Sequence, residues 1–369
     1  VKREISLFHP AVAPACLERV RRVLAGRWIG QGTLIDEFER ALRDRLGLGH
    51  LVVVNNAASA LRLALAIAGV GPGDEVVTTA MTCTMTNHPI LEQFARPVFA
   101  DIQEQTGNLD PADVARRLTD RTRAIVCAHW GGTPCDLDEL GRLAAERGLV
   151  VIEDASEALG ATYRGTPIGN LSRFTAFSFQ AIQVLTTGEG GALAMRRAED
   201  ADEARTRRWF GIDRRSRRPD DAGYFDFDIT RMGFGYHATN IAAAIGLGNL
   251  EALEAGLAHR RGVAERYRAG LAGVAGLRLP PEPLDRGPSH HVFTIHVERR
   301  ADFVRRMKER GIETSIVHAR NDQYAVFGGR RPDLPNLDRF ERTYLCLPTH
   351  PGLTPEDVAY VIESVRQGW

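Results

Sequence analysis

Residues 150–157 read VVIEDASE, an apolar run that ends at once in carboxylates. The run is continuous rather than alternating, which suits a strand buried on both faces. Carboxylates at its end stand where open parallel sheets hold their ligands, outside the carboxyl ends of the strands. The same punctuation recurs on both sides: short apolar runs at 51–54, 75–79, 97–101 and 124–128 alternate with helical patterns at 60–68 and 137–147. Alternation of this kind builds βαβ units. The expected fold class is α/β, a large domain with a mainly parallel sheet flanked by helices plus a smaller C-terminal α+β domain.

Further along, residues 208–227 are rich in Arg, Asp, Gly and aromatic residues with little periodicity, and read as a long loop of the kind that is often functional. A long helical pattern over 240–270 leads into a second unit with a strand pattern at 291–297, an amphipathic helix at 301–310 closed by Gly311, a further short segment at 313–317, and a helix at 355–365 with Pro355 at its start. The expected division is 1–250 and 251–369. Neither an internal repeat nor a low-complexity segment is present.

Composition narrows the partners. Lys plus Arg and Asp plus Glu both number 47, so the net charge of zero gives no electrostatic reason to expect nucleic acid or an acidic membrane. A small-molecule substrate is expected instead. No apolar run approaches the roughly 18 residues of a membrane span, and the first residues lack a charged-then-apolar leader pattern, so a cytoplasmic location is expected. Cys16, Cys83, Cys127, Cys135 and Cys346 show neither paired metal spacing nor the density of a disulfide scaffold, and no metal is expected. Only two basic residues are lysines, Lys2 and Lys308.

Two other stretches bear on chemistry. In residues 52–61, VVVNNAASAL, a strand runs into a helix whose first turn exposes free backbone N–H groups, an anion site in principle; an ordinary strand-to-helix corner capped by Asn55 or Asn56 is the competing reading. In residues 176–195, AFSFQAIQVLTTGEGGALAM, a strand leads through a polar turn containing Gln183 into Thr186-Thr187-Gly188-Glu189-Gly190-Gly191. Asp154, at the end of the first strand, suits the protonated nitrogen of a pyridine ring, or else a structural role bonded to neighbouring amides.

Taken together, the order and spacing of these segments resemble the sugar aminotransferase family (the DegT family) of fold type I pyridoxal phosphate enzymes. The resemblance spans nearly the whole chain, and includes Trp28-Ile29-Gly30-Gln31-Gly32, residues 55–65, Thr82-Cys83-Thr84-Met85-Thr86-Asn87, Phe99-Ala100-Asp101, His129-Trp130-Gly131-Gly132, Glu153-Asp154-Ala155, Ser178-Phe179, the glycine-rich turn, residues 233–247, and Val317-His318-Ala319-Arg320-Asn321-Asp322. It implies the large-plus-small architecture of pyridoxal phosphate transferases and a homodimer with shared sites. By the same resemblance, Asp154 pairs with the pyridine nitrogen, Glu157 lies near the ring hydroxyl, Ser178 binds phosphate, and Ala57 and Ala58 occupy the phosphate cradle. Cys83 falls in a cofactor-facing segment, and Gly235 stands where a partner-reaching Asn or Lys is usual.

The resemblance also implies that Gln183 falls where the Schiff-base lysine belongs. An amide can neither form an imine nor carry a proton from the substrate carbon, and arginine cannot form the imine either. Ala58 and Gly235 each lack a polar contact, a charged-group hydrogen bond being worth roughly 1.5–3 kcal/mol. The expectation is therefore no covalent pyridoxal phosphate, with non-covalent pyridoxal or pyridoxamine phosphate a disfavoured alternative. The favoured function is a cofactor-independent isomerase, lyase or cyclase acting on a sugar, cyclitol or nucleotide sugar. Glu157, His237, His318 and His129 are the candidates for proton transfer, and Tyr236, Arg320, Asn321 and Asp322 for substrate recognition. Two alternatives stand beside it: an aminotransferase whose lysine was replaced by Gln183 as an engineered trapping substitution, and a non-catalytic subunit supporting an active paralogue.

Overall fold

The computed structural model describes residues 3–215 and 218–369. Its centre is a sheet of seven strands: β1 (His50–Val54), β2 (Glu75–Thr79), β3 (Arg96–Ala100), β4 (Thr122–Ala128), β5 (Val150–Asp154), β6 (Phe174–Ser178) and β7 (Gly191–Met195). The order across the sheet is β1-β7-β6-β5-β4-β2-β3. Neighbours from β6 to β3 pair in parallel, and β7 alone runs antiparallel, to both β1 and β6. The expected α/β class is what the chain adopts.

The continuous apolar runs have a direct cause. Alternate residues of each strand enter different cores: Leu51, Val53, Val77 and Phe177 pack with Phe38 and Leu42 of helix α2 (Thr33–Leu46), whereas Val52, Val54, Val76 and Ala176 pack with Leu61 and Leu65 of helix α3 (Ala57–Ile67). Both faces are covered, so neither set of positions has reason to be polar. At the start of α3 the cap is settled: Asn56 accepts a 2.8 Å bond from the Ser59 N–H. β7 begins against this corner, where a Cβ on Gly191 would stand 2.5–2.7 Å from backbone atoms of Asn56 and Ala57. Only a glycine lets the strand approach the helix that closely, which is one physical demand behind the glycine-rich turn.

The remaining chain departs from one expectation. The pattern over 240–270 forms two helices, Asn240–Leu250 and Leu253–Leu271, bent by 59°. The first is buried nearly all round, with Gly246 and Gly248 admitting Phe38 and Cys16, and Asn249 bonded to Ala13 N and Thr186 O pins its end. The second is amphipathic and reaches both the main core, through Leu253 and Leu257, and a separate core, through Val263, Tyr267 and Leu271. That separate core lies on a small sheet of Leu277–Arg278, β8 (Phe293–Val297) and β9 (Tyr344–Leu347), where β8 pairs antiparallel with both neighbours. No strand forms at 313–317. The segment divides its pairing, Ile312 bridging to Ile5 and Ser315 to Cys346, so no ladder extends. Among the described residues of 208–227, the regular pairing is a two-residue ribbon, Arg218–Pro219 with Phe225–Asp226, and a single bridge from Trp209 to Gly235. Among the described residues no single helix is long and apolar enough to cross a membrane.

Candidate functional site

A cleft of about 330 Å³ opens at the carboxyl ends of β4, β5 and β6. Asp154, the last residue of β5, is buried there with both carboxylate oxygens engaged. Oδ2 accepts from Thr86 Oγ1 at 2.5 Å, and Oδ1 accepts from the Ser156 amide at 3.0 Å and its hydroxyl at 2.5 Å. Thr86 lies on helix α4 (Thr84–Glu92), one turn from Thr82, whose hydroxyl meets its own at 2.8 Å. Thr86 and Ser156 were missed as site residues. The signal was faint: Thr82 lies just before the helix and Thr86 in its first turn, and the two hydroxyls meet only because the chain bends into α4 there.

Glu157 and His318 form the second polar group of the cleft. Glu157 Oε2 accepts from the Gly131 amide at 2.7 Å, and Oε1 lies 3.0 Å from His318 Nε2. Burial pushes the Glu157 carboxyl upward, but the bond and charge of His318 and the Gly131 amide outweigh it and hold it below its ordinary value. Trp130 stands edge-on to His318, 5.9 Å between ring centroids, and donates its own Nε1–H to Thr294. Across the cleft, Ser178 accepts from the Gln180 amide, Gln180 accepts from the Ile182 amide, and Gln183 lines the wall with its side-chain oxygen buried and without a partner. Cys83 faces the same space, its thiol pushed upward by burial.

Several expected residues lie elsewhere or are spent. His129 borders the cleft, but its Nε2 is 2.9 Å from Glu153 and its Nδ1 accepts the Cys135 amide. Both ring nitrogens are committed, so His129 is corrected from a proton carrier to a positioning residue. Arg320, Asn321 and Asp322 are fully buried. Arg320 pairs with Asp322 at 2.6 and 2.7 Å and with Asp338, while Asn321 bonds Thr82 O, Ala80 O and Asn87. The expectation of substrate recognition there is corrected to one of tying the 80–83 loop to the following segment. Tyr236 stacks on Phe234 at 4.8 Å, and His237 sits 3.9 Å from the Trp209 ring with Nδ1 unpartnered, its basicity lowered by burial and by Arg208 and Arg214. Neither lines this cleft. Ala57 and Ala58 occupy the first turn of α3 beside Gly191 and add no side-chain donor.

The donor set matches half of the pyridoxal phosphate that the resemblance implies. Asp154 lines the cleft with a carboxylate, the group that a pyridinium calls for. No lysine among the described residues lines the cleft, however: Lys308 borders a separate groove with Glu4 and Ile5, and Lys2 lies outside the described residues. Covalent attachment does not fit.

Comparisons with known proteins agree with the fold. A model of the DegT/DnrJ/EryC1/StrS aminotransferase family matches residues 11–366. GDP-perosamine synthase of Caulobacter vibrioides is 35% identical over 350 residues, 92% of this chain and 91% of the relative. The spore coat polysaccharide biosynthesis protein SpsC of Bacillus subtilis is 34% identical over 369 residues, 97% of this chain and 95% of its own. Among solved structures, AtS13 from Actinomadura melliaura superposes with a TM-score of 0.95 at 38% identity, covering 100% of this chain and 99% of that one. The sugar aminotransferase CalS13 from Micromonospora echinospora gives 0.94 at 36%, covering 99% and 100%.

Proposed function

Because the chain belongs to the DegT/DnrJ/EryC1/StrS aminotransferase family, we propose that it modifies a sugar or cyclitol through a cleft that no longer holds pyridoxal phosphate covalently. One observation carries this reading: the cleft that holds Asp154 and Ser178 is lined by Gln183 and by no lysine among the described residues. Gln183 stands, on this reading, where the Schiff-base lysine of the family belongs. Two neighbouring departures support it. Ala58 brings no hydroxyl to the phosphate cradle, and at Gly235 even a Cβ would come within 3.0 Å of Phe210. A polar side chain could return there only if that ring moved.

The chemistry then falls to the cleft's own acid–base pair. His318 presents its ring to the cleft, Glu157 fixes the ring through Nε2, and the carboxylate's charge offsets the positive charge that the ring takes on when it accepts a proton. Isomerisation, elimination or cyclisation each needs such a transfer. The GDP-perosamine synthase similarity favours a nucleotide sugar as substrate. A homodimer with shared sites is part of the proposal: Trp28, Phe210 and Met232 are exposed apolar residues, and Tyr236 and His237 lie off this chain's cleft, where a second copy would be needed to bring them to a site.

The test is the purified protein alone. It is expected to be colourless, to give no lysine-linked pyridoxyl group on borohydride reduction and peptide mapping, and to turn over a candidate nucleotide sugar without added aldehyde cofactor. A yellow protein with a reducible lysine adduct defeats the proposal, and turnover only alongside an active relative points to a supporting subunit.

A further inference from the structure

Beneath the floor of the cleft, three soft or borderline ligands meet that the sequence scatters. Cys127 is a β4 residue, His129 follows the end of that strand, and Cys135 lies in the loop before helix Leu137–Arg147. All three are buried, and their ligand atoms lie within 4.8 Å of one another. The spacing Cys-x-His-x5-Cys matches no paired motif, which is why the linear reading passed over it.

The histidine is oriented for coordination. Its Nε2 is taken by Glu153, which is itself held by the Ser172 amide and the Thr175 hydroxyl, both at 3.1 Å. Its Nδ1 accepts the Cys135 amide at 3.1 Å, so that nitrogen carries a lone pair rather than a proton. A carboxylate behind one imidazole nitrogen and a lone pair on the other, here held only by an amide that a cation can displace, is the arrangement that surrounds metal-bound histidines. We propose that Cys127, Cys135 and His129 Nδ1 form a site for a thiophilic, closed-shell divalent cation of the zinc class.

Charge and softness select that class. Two thiolates and one divalent cation sum to zero, whereas a monovalent ion would leave net negative charge buried beside Glu153. Binding releases both thiol protons to solvent and exchanges the Cys135 amide bond for a coordinate bond. The Ala128 carbonyl, to which Cys135 Sγ donates at 3.2 Å, is the oxygen at hand for a fourth position. Because the His129 amide donates to the Asp154 carbonyl at 3.1 Å, the ion would brace the end of β4 against the residue that dominates the cleft.

The full chain, purified under reductant from cells grown with zinc, should retain about one cation through gel filtration with a mild chelator. Exchange with Co²⁺ should give thiolate-to-cobalt charge-transfer bands that vanish in Cys127→Val and persist in Cys16→Ser, a buried thiol outside the cluster. Metal far below one equivalent, absent bands, bands that survive Cys127→Val, or a Cys127–Cys135 disulfide in place of metal would overturn the site. If Cys127→Val does not fold, the wild-type spectrum and Cys135→Ser decide.

Discussion

At Arg320 a fully buried guanidinium is answered by Asp322, Asp338 and Glu341, whereas two residues earlier His318 leaves part of its ring in the cleft and has one side-chain hydrogen-bond partner, Glu157. The two clusters are close in sequence and similar in composition. They differ in whether their hydrogen-bonding capacity is spent inside the protein. Burial raises the cost of every unanswered donor, so a network that is closed on itself contributes to stability, and one left open to a cleft can serve a ligand.

The largest test of that contrast removes one carboxylate from the closed network and one from the open cleft. Asp322→Ala takes from the buried Arg320 its bidentate partner, leaving Asp338 and Glu341 to answer the charge, and should cost about 3–5 kcal/mol in urea unfolding. Asp154→Ala leaves the Thr86 and Ser156 hydroxyls beside a cleft that water can enter, and should cost about 1 kcal/mol while abolishing ligand binding. If the two substitutions destabilise equally, the distinction between closed and open clusters fails.

The sequence made the strands and the position of the cleft readable, because a buried parallel strand needs apolar residues on both faces and ends where ligands bind. VVIED does both, and the Asp154 it singled out lies in the cleft. Gln183 was equally visible as a residue of the right turn. What could not be read was saturation. Nothing in Arg320-Asn321-Asp322 announces that Asp338 and Thr82 will return from distant segments to use it up, and His129 looks catalytic until Glu153 and Cys135 take its two nitrogens. The break at 251–252 was hidden for a related reason: helical periodicity continues across it, and Asn249, just before it, meets Thr186 from a distant segment.

A middle-sized effect sharpens the contrast on the pH axis. Burial pushes His291, His296 and His350 down from 6.5 to about 4, each with one ring nitrogen unpartnered. These rings are neutral in the folded chain, while the unfolded chain binds protons between those two values. Stability should therefore fall as pH drops through that window, by roughly 1.4 kcal/mol per pH unit for each group. His296→Phe, in a site already packed edge-on against Phe340, should flatten the slope by one group's share. An unchanged slope would show that this ring does not titrate as a closed, neutral member of the core.

The smallest stability effect belongs to Glu157, and its sign is the same, with the loss displaced to the carboxyl's more acidic range. Its folded carboxyl is held below the unfolded value, so its contribution is complete above that value and disappears as pH falls through the folded one. Glu157→Gln should cost about 1 kcal/mol at neutral pH, since an amide oxygen can still accept from Gly131, and the variant should converge on the parent in acid. Turnover should respond far more than stability, because a neutral amide cannot offset the charge of a protonated His318. A variant that folds, binds substrate and keeps full kcat would remove His318 and Glu157 from the chemistry and leave the open cluster with a binding role alone.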